Sequence, residues 1–309
     1  MQKVHFDTDL GGDIDDLCAL AMLLRWGDIE ITGITTVAEA HGRRAGYVRH
    51  VLQLEDRGAI PVAAGADVSG GFYRYAELDY PEEERYWSRP IPPLPNPIEE
   101  TIQLLKQSIE QGATIIAIGP FTNLYLLDIQ YPGILMEANL FLMGGYIYPV
   151  RAGFPPWGNE MDWNIQIDVR SAKHVIEHSN PTLIPLSVTV ETALRRAYLD
   201  DLRKSGALGQ LLAQQAEAFA VDEQNEKKFG ETCEGLPNDM INFLHDPLAC
   251  AIALGWKDGV EFEEVLLILD EKEGWLCERI DQSGKPIRVV SKIEGPRFNE
   301  FWLNKILKR

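Results

Sequence analysis

The chain has 309 residues, 45% of them hydrophobic and 25% charged, which is enough apolar material for a sizeable core and too much for a disordered chain. Its 47 acidic against 29 basic side chains leave a formal charge of −18. That balance excludes a nucleic-acid partner, which needs clustered Lys and Arg, and favours a small neutral ligand or a cation.

The N-terminus runs straight into MQKVHFDTD, without the basic and apolar regions of an export signal. No window reaches the roughly 18 apolar residues of a membrane span. The four cysteines, Cys18, Cys233, Cys250 and Cys277, are far apart and form no CxxC pair, as in a reducing compartment. The expectation is a cytoplasmic protein with no membrane partner.

Short apolar runs alternate with longer amphipathic stretches, which predicts an α/β fold with a mostly parallel, Rossmann-like sheet flanked by helices. In chain order the strands fall at Lys3–Phe6, Ile29–Val37, Ile60–Ala64, Thr114–Ile118, Asn139–Met143 and Thr182–Leu186. Helices are predicted at Ile14–Trp26, Arg43–Leu54, Pro97–Gln111, Phe121–Ile129, Val169–His178, Leu199–Phe219 and Asp246–Leu254. Beyond these, Phe262–Leu269, Trp275–Arg279 and Ile287–Val290, with a turn at Gln282–Gly284, read as an antiparallel addition to the same sheet, so one domain is expected over 1–309. Two long irregular segments, Asp67–Asn96 and Gly144–Asp162, have the length of functional loops.

The most informative stretch follows the first strand: Asp7, Asp9, Asp13, Asp15 and Asp16 place five carboxylates within ten residues. A loop at the carboxyl end of a strand faces the ligand crevice of an open α/β sheet, so these mutually repelling groups converge there and call for a cation. Carboxylate oxygens without nearby Cys or His select Ca²⁺ or Mg²⁺, and several of them with a backbone carbonyl suit the larger Ca²⁺ shell. Gly11 and Gly12 let the backbone turn around an ion. The plain alternative is a solvated acidic turn with Asp13 as a helix cap. An EF-hand is excluded, because the twelfth position counted from Asp7 is Cys18 rather than Glu. A phosphatase of the haloacid dehalogenase type also opens with strand-Asp-x-Asp, but here Leu10-Gly11-Gly12 follows Asp9 and the extra carboxylates crowd the first loop.

Four segments resemble one family in order: Asp7-Thr-Asp9-Leu-Gly11-Gly-Asp13-Ile-Asp15-Asp16; Ala117-Ile-Gly119-Pro-Phe-Thr122-Asn123; Leu142-Met143-Gly144-Gly145 with Asp162-Trp163-Asn164 and Asp168; and His245-Asp246-Pro247-Leu248-Ala249. Together they resemble the inosine-uridine-preferring nucleoside hydrolases over essentially the whole chain. The resemblance implies hydrolysis of a ribonucleoside to ribose and free base with Ca²⁺ as cofactor, in a homodimer or homotetramer. It implies that Asp9, Asp16 and Asp246 bind Ca²⁺ through carboxylates and Ile118 through its main-chain carbonyl. Asp9 is implied as general base, with His245 protonating the departing base; a hydrogen-bonded structural role for His245 stays open. Asp15, Asn164 and Asp246 are implied as ribose contacts, Asp162 near the 5′-hydroxyl and Met143 under the sugar, with Asp7 and Asp13 supporting the ligands from behind. Among aromatics that could stack on a base, Trp157, Tyr146 and Phe154 stand beside Trp163, the best placed.

The chain departs from the family after Thr35-Thr36-Val37, where an Asn or Asp reaching the ribose 2′-hydroxyl is usual and Ala38-Glu39-Ala40-His41 stands instead, leaving Glu39 as the candidate replacement. Asp162 stands where Glu is usual, which leaves room for a modified 5′ group. A histidine-containing motif of pyrimidine-preferring members is replaced by Tyr73, Tyr75, Tyr80, Tyr86 and Trp87. Hydrolysis of a modified nucleoside, and a relative that binds nucleoside or ribose without turnover, are the alternatives.

Overall fold

The computed structural model describes residues 1–67 and 83–307. Its strands are β1 (Gln2–Thr8), β2 (Ile29–Thr36), β3 (Val62–Ala64), β4 (Thr114–Ala117), β5 (Asn139–Met143), β6 (Thr182–Ile184), β7 (Leu194–Arg195), β8 (Met240–Asn242), β9 (Glu261–Lys272), β10 (Trp275–Ile280) and β11 (Lys285–Lys292). The α-helices are α1 (Asp15–Leu24), α2 (Arg43–Leu54), α3 (Glu83–Tyr86), α4 (Ile98–Glu110), α5 (Thr122–Gln130), α6 (Trp163–Gln166), α7 (Val169–Glu177), α8 (Leu186–Thr189), α9 (Leu199–Lys204), α10 (Ala207–Glu223), α11 (His245–Ala253) and α12 (Gly295–Leu307).

One sheet carries the order β10-β9-β11-β6-β5-β4-β1-β2-β3, and β7 pairs with β8 apart from it. From β11 to β3 every pairing is parallel, with Asp7 of β1 opposite Thr35 of β2 and Ala117 of β4. Parallel strands covered on both faces need continuous apolar runs, and β4 and β6 are buried at every residue. The expected antiparallel addition is present, β9 pairing with β10 and β11. β9 buries only Val265, Leu267 and Leu269, the alternation of a strand with one wet face.

Helices cover both faces of the sheet, and α1 is unusual in burying all ten of its residues. It packs against α10, α11 and α12, and the Trp302 indole of α12 donates to the Cys18 carbonyl at 3.2 Å. That second helical layer explains why the α1 sequence is apolar all round.

Several expectations need correction. The segment Leu199–Phe219 is two helices, α9 and α10, broken at Ser205-Gly206 where Gly206 takes φ +107°. The strand expected from Ile60 begins at Val62, and the last helix begins one residue early, at His245. α12 was not anticipated. Tyr73, Tyr75 and Tyr80 lie outside the described residues. Tyr86 and Trp87 are buried; Trp87 stacks on Tyr47 at 4.4 Å and the Tyr86 hydroxyl donates to Asp222 at 2.8 Å. All four cysteines are free thiols, and among the described residues no helix is long and apolar enough to cross a membrane.

Candidate active site

The loops after β1, β4 and β5 meet the N-termini of α6 and α11 at the carboxyl edge of the parallel strands, around a cavity of about 780 Å³. Asp15 and Asp16 sit in the first turn of α1 and Asp246 in the first turn of α11, two helices in contact. Helix N-termini carry partial positive charge, which offsets part of the cost of gathering anions there. These three buried residues each offer a carboxylate oxygen within 4.8 Å of the others. Burial first, and repulsion from neighbouring aspartates next, push all three carboxyls well above the usual carboxylate range. Such a set stays ionised only with a cation among it, and its hard oxygen donors fit a divalent ion of the Ca²⁺ or Mg²⁺ type.

Asp9 lines the same cavity, one step away from that trio. Burial raises its carboxyl, while the Arg44 guanidinium and a hydrogen bond with the Trp163 side chain hold it down. A Cβ on Gly119 would come within 2.8 Å of Asp9 Oδ1, so only glycine lets the β4 loop approach. Thr8 donates its hydroxyl to Asp16 and receives the Leu10 amide at 3.2 Å, which fixes the start of the loop. Asp13 accepts the Asp15 amide at 3.1 Å and the Asn242 side chain at the cavity edge, but the N-cap position of α1 is Ile14, which has no side-chain cap, so Asp13 is not the helix cap of the plain reading.

Asp7 is fully buried behind the loop. Thr35 donates to its Oδ1 at 2.5 Å and Asn123 at 2.8 Å, and burial pushes its carboxyl up to about 7. Asn123 also donates to the Thr36 carbonyl and accepts the Ala66 amide, tying the ends of β1, β2 and β3 together. Thr122 donates to Asp168 at 2.6 Å, so these motif residues brace the site rather than line it.

Ile118 and Met143 line the cavity. The Asn164 amide nitrogen donates to the Ile118 carbonyl at 2.8 Å and the Met143 carbonyl at 3.1 Å, locking the ends of β4 and β5 to α6. A carbonyl has two lone pairs, so this bond leaves Ile118 able to accept a second partner. Asp162 lines the cavity, but its two oxygens receive the Ile165 amide at 3.1 Å and the Gly145 amide at 2.5 Å. The shorter side chain thus caps α6 through Oδ1 and holds the Gly145 amide through Oδ2, each oxygen keeping a second lone pair.

Glu39 is a correction. It lies outside this cavity, 1% exposed, and turns its carboxylate onto the start of α2, accepting the amides of Arg44 at 3.2 Å and Ala45 at 2.8 Å. The residue that enters the cavity from this loop is Arg44. Arg44 is among the lining residues that sequence reasoning missed, with Met161, Leu186 and Glu223, since a basic side chain in the first turn of a helix carries no motif.

His245 lines the cavity with Nδ1 2.7 Å from the Thr189 hydroxyl, and burial lowers its imidazole to about 3. Thr189 gives its own proton to the Leu186 carbonyl, so the neutral ring holds its proton on Nδ1 and leaves Nε2 an acceptor. Phe243 stacks on the ring at 5.1 Å, and Trp157 meets Phe243 at 5.1 Å, making an aromatic wall. Trp157 and Trp163 line the cavity and Trp163 is 45% exposed at its mouth. Tyr146 and Phe154 are not among the described lining residues.

The description "Inosine-uridine preferring nucleoside hydrolase" matches residues 4–300 of the chain. It is 27% identical over 261 residues to a pyrimidine-specific ribonucleoside hydrolase RihA of Salmonella arizonae, covering 81% of this chain and 78% of that protein. It is 30% identical over 231 residues to a non-specific ribonucleoside hydrolase RihC of Klebsiella pneumoniae, covering 68% and 69%. Among solved structures it is similar to the plant nucleoside hydrolase PpNRh1, with TM-score 0.81 and 18% identity over 100% of this chain and 99% of the other. A purine-preferring ribonucleoside hydrolase from Gardnerella vaginalis is similar with TM-score 0.76 and 21% identity over 99% and 98%.

Proposed function

The chain belongs to the inosine-uridine preferring nucleoside hydrolase family and is an enzyme of that kind; on that premise we propose that it splits a ribonucleoside into ribose and free base with Ca²⁺ as cofactor. The observation that carries this reading is the convergence of Asp15, Asp16 and Asp246 at two helix N-termini beside Asp9 and the Ile118 loop. Asp9, Asp16, Asp246 and the Ile118 carbonyl are the ligand set we propose, with Asp15, whose carboxylate lies within 4.8 Å of those of Asp16 and Asp246, able to join them or to hold sugar hydroxyls. Held by these residues, a Ca²⁺ ion would supply Lewis acidity toward a water and a fixed point for the sugar.

Asp9 takes the proton of the attacking water. As the glycosidic bond breaks, positive charge grows on the sugar ring, and the surrounding carboxylates stabilise a state that the neutral substrate does not reach. Asn164 keeps Met143 and Ile118 in register beneath the sugar. His245 is the proposed donor to the leaving base; burial keeps its ring neutral with hydrogen on Nδ1, so before it can donate from Nε2 it must take up a proton from solvent there, against that burial. Trp157 and Trp163 offer flat surfaces to the base. We further propose a single domain working in the cytoplasm as a homodimer or homotetramer, on the strength of the family.

A second reading, hydrolysis of a nucleoside modified at the 5′ position, is favoured by Asp162, whose oxygens are both engaged by main-chain amides. One panel tests both. Purified protein with Ca²⁺ is given inosine, adenosine, guanosine, uridine, cytidine, 5′-modified analogues and p-nitrophenyl riboside, and reducing sugar and free base are measured. Release that stops with a calcium chelator supports the primary reading, and release from the 5′-modified compounds alone supports the second. Absence of any release refutes both.

A further inference from the structure

We infer that Arg44 determines sugar specificity, donating from its guanidinium to a hydroxyl of the ribose, and so replaces the contact that the Ala38-Glu39-Ala40-His41 segment does not make; the inference rests on the nucleoside hydrolase reading of the site. Arg44 is 3% exposed and lines the cavity, where it is the one Lys or Arg among the described lining residues. A desolvated guanidinium beside a ligand cavity is a costly arrangement, and the surrounding structure is built to hold it. Its Nε donates to the Ala38 carbonyl at 2.8 Å and its Nη1 to the Asp9 carbonyl. Side chains on Gly12 and Gly11 would begin 3.8 Å and 3.9 Å from the latter nitrogen, ordinary contact distance, so the guanidinium lies against the first loop.

The loop that presents Arg44 is bent through unusual conformations. Ala38 and His41 take φ +50° and +54°, the left-handed region that costs a residue with a Cβ, and Gly42 follows at +83°. Glu39, receiving Thr36, Ala40, Arg44 and Ala45, fastens this bend to the first turn of α2. The bend and its fastening place the first turn of α2 so that Arg44 is held against the Ala38 and Asp9 carbonyls.

That location identifies what Arg44 meets. Asp9, Asp16 and Asp246 line the cavity together with Trp157, and Arg44 is tied to the Asp9 carbonyl. A ligand that lays its polyhydroxylated ring over the carboxylates presents hydroxyl oxygens to the guanidinium, which only donates hydrogen bonds. A free anion is disfavoured there by the aspartates.

The test measures binding of D-ribose, 2-deoxy-D-ribose and 3-deoxy-D-ribose to the Ca²⁺-loaded protein by calorimetry, for the natural chain, Arg44→Met and Arg44→Lys, alongside p-nitrophenyl riboside turnover and a thermal melt. Arg44→Met is expected to weaken D-ribose by about 10- to 100-fold, the effect of losing a charged hydrogen bond, while one of the two deoxy sugars changes less than about twofold. Arg44→Lys, which keeps the charge and the fold, is expected to lose the same discrimination in part. Equal loss for all three sugars in the lysine variant, or no loss in either variant, overturns the role of Arg44 while leaving the hydrolase reading intact. Failure of the natural chain both to bind ribose and to cleave the riboside overturns the underlying reading instead.

Discussion

Glu39 separates two accounts of the loop after β2, because as a sugar contact it sets affinity and as a helix fastener it sets stability. In Glu39→Ala, four donors that now point at its carboxylate lose their acceptor: Thr36 Oγ1 at 2.5 Å, and the amides of Ala40 at 3.0 Å, Arg44 at 3.2 Å and Ala45 at 2.8 Å. Each buried donor left unpaired costs about 1–3 kcal/mol, and the start of α2 also loses a negative charge. Water can reach some of them once the side chain is gone, so a net loss of about 4 kcal/mol is expected, or about 6 °C of melting temperature in a chain of this size. Glu39→Gln keeps one acceptor oxygen but turns an NH₂ group toward amide donors, and should lose about half as much. The assay is a thermal melt of both variants with Ca²⁺ present, paired with KM for p-nitrophenyl riboside. A melting temperature within about 1 °C of the natural chain, with KM raised tenfold, would refute the fastening role and restore Glu39 as a sugar ligand.

Three further outcomes follow from the same geometry. Asp9→Asn should preserve the fold, since Gly119 still accommodates a side chain of the same shape, and lower turnover by several orders of magnitude; near-normal turnover removes Asp9 from the base role. His245→Ala should slow nucleosides with poorly leaving bases far more than p-nitrophenyl riboside, and equal losses on both argue against proton delivery. His5 is buried, with its ring between Ser108 and Thr35 at 2.8 and 2.9 Å and its pKa lowered by burial to about 3. The unfolded chain therefore binds a proton below about pH 6.5 that the folded chain refuses, so this contribution is full above that pH and lost as pH falls towards 3, by up to about 5 kcal/mol. Urea midpoints at pH 7.5 and 4.5 should fall less steeply in His5→Asn, and parallel curves for the two proteins sink the assignment.

The parallel core of the fold was legible because its strands are short apolar runs between amphipathic helices, and the hairpin edge because Gln282–Gly284 marks a turn. The break between α9 and α10 was not, since Ser205-Gly206 is a weak stop inside a continuous apolar pattern. The carboxylate cluster was legible because like charges do not crowd one loop without a use. Side-chain destinations were less so: Glu39 and Asp162 are acidic residues in the right segments, yet both carboxylates are captured by main-chain amides at helix starts, a competition that depends on loop conformation rather than residue type. Arg44 escaped notice for the converse reason, as its approach to Asp9 requires the left-handed turns at Ala38 and His41, which sequence does not advertise.

The segment carrying Asp162, Trp163 and Asn164 is stitched to β10: Asn159 and Gln166 both donate to the Leu276 carbonyl at 2.8 Å, and Gln166 accepts the Leu276 amide at 2.9 Å. A ribosome makes Asp15 and Asp16 long before it makes Asp246, and makes Leu276 later still. A nascent chain halted between these points holds a crowd of aspartates with neither its last carboxylate nor the brace for its sugar loop. Assembly of the proposed site thus waits for the last third of the chain, first for Asp246 and then for the strand that braces Asp162, Trp163 and Asn164.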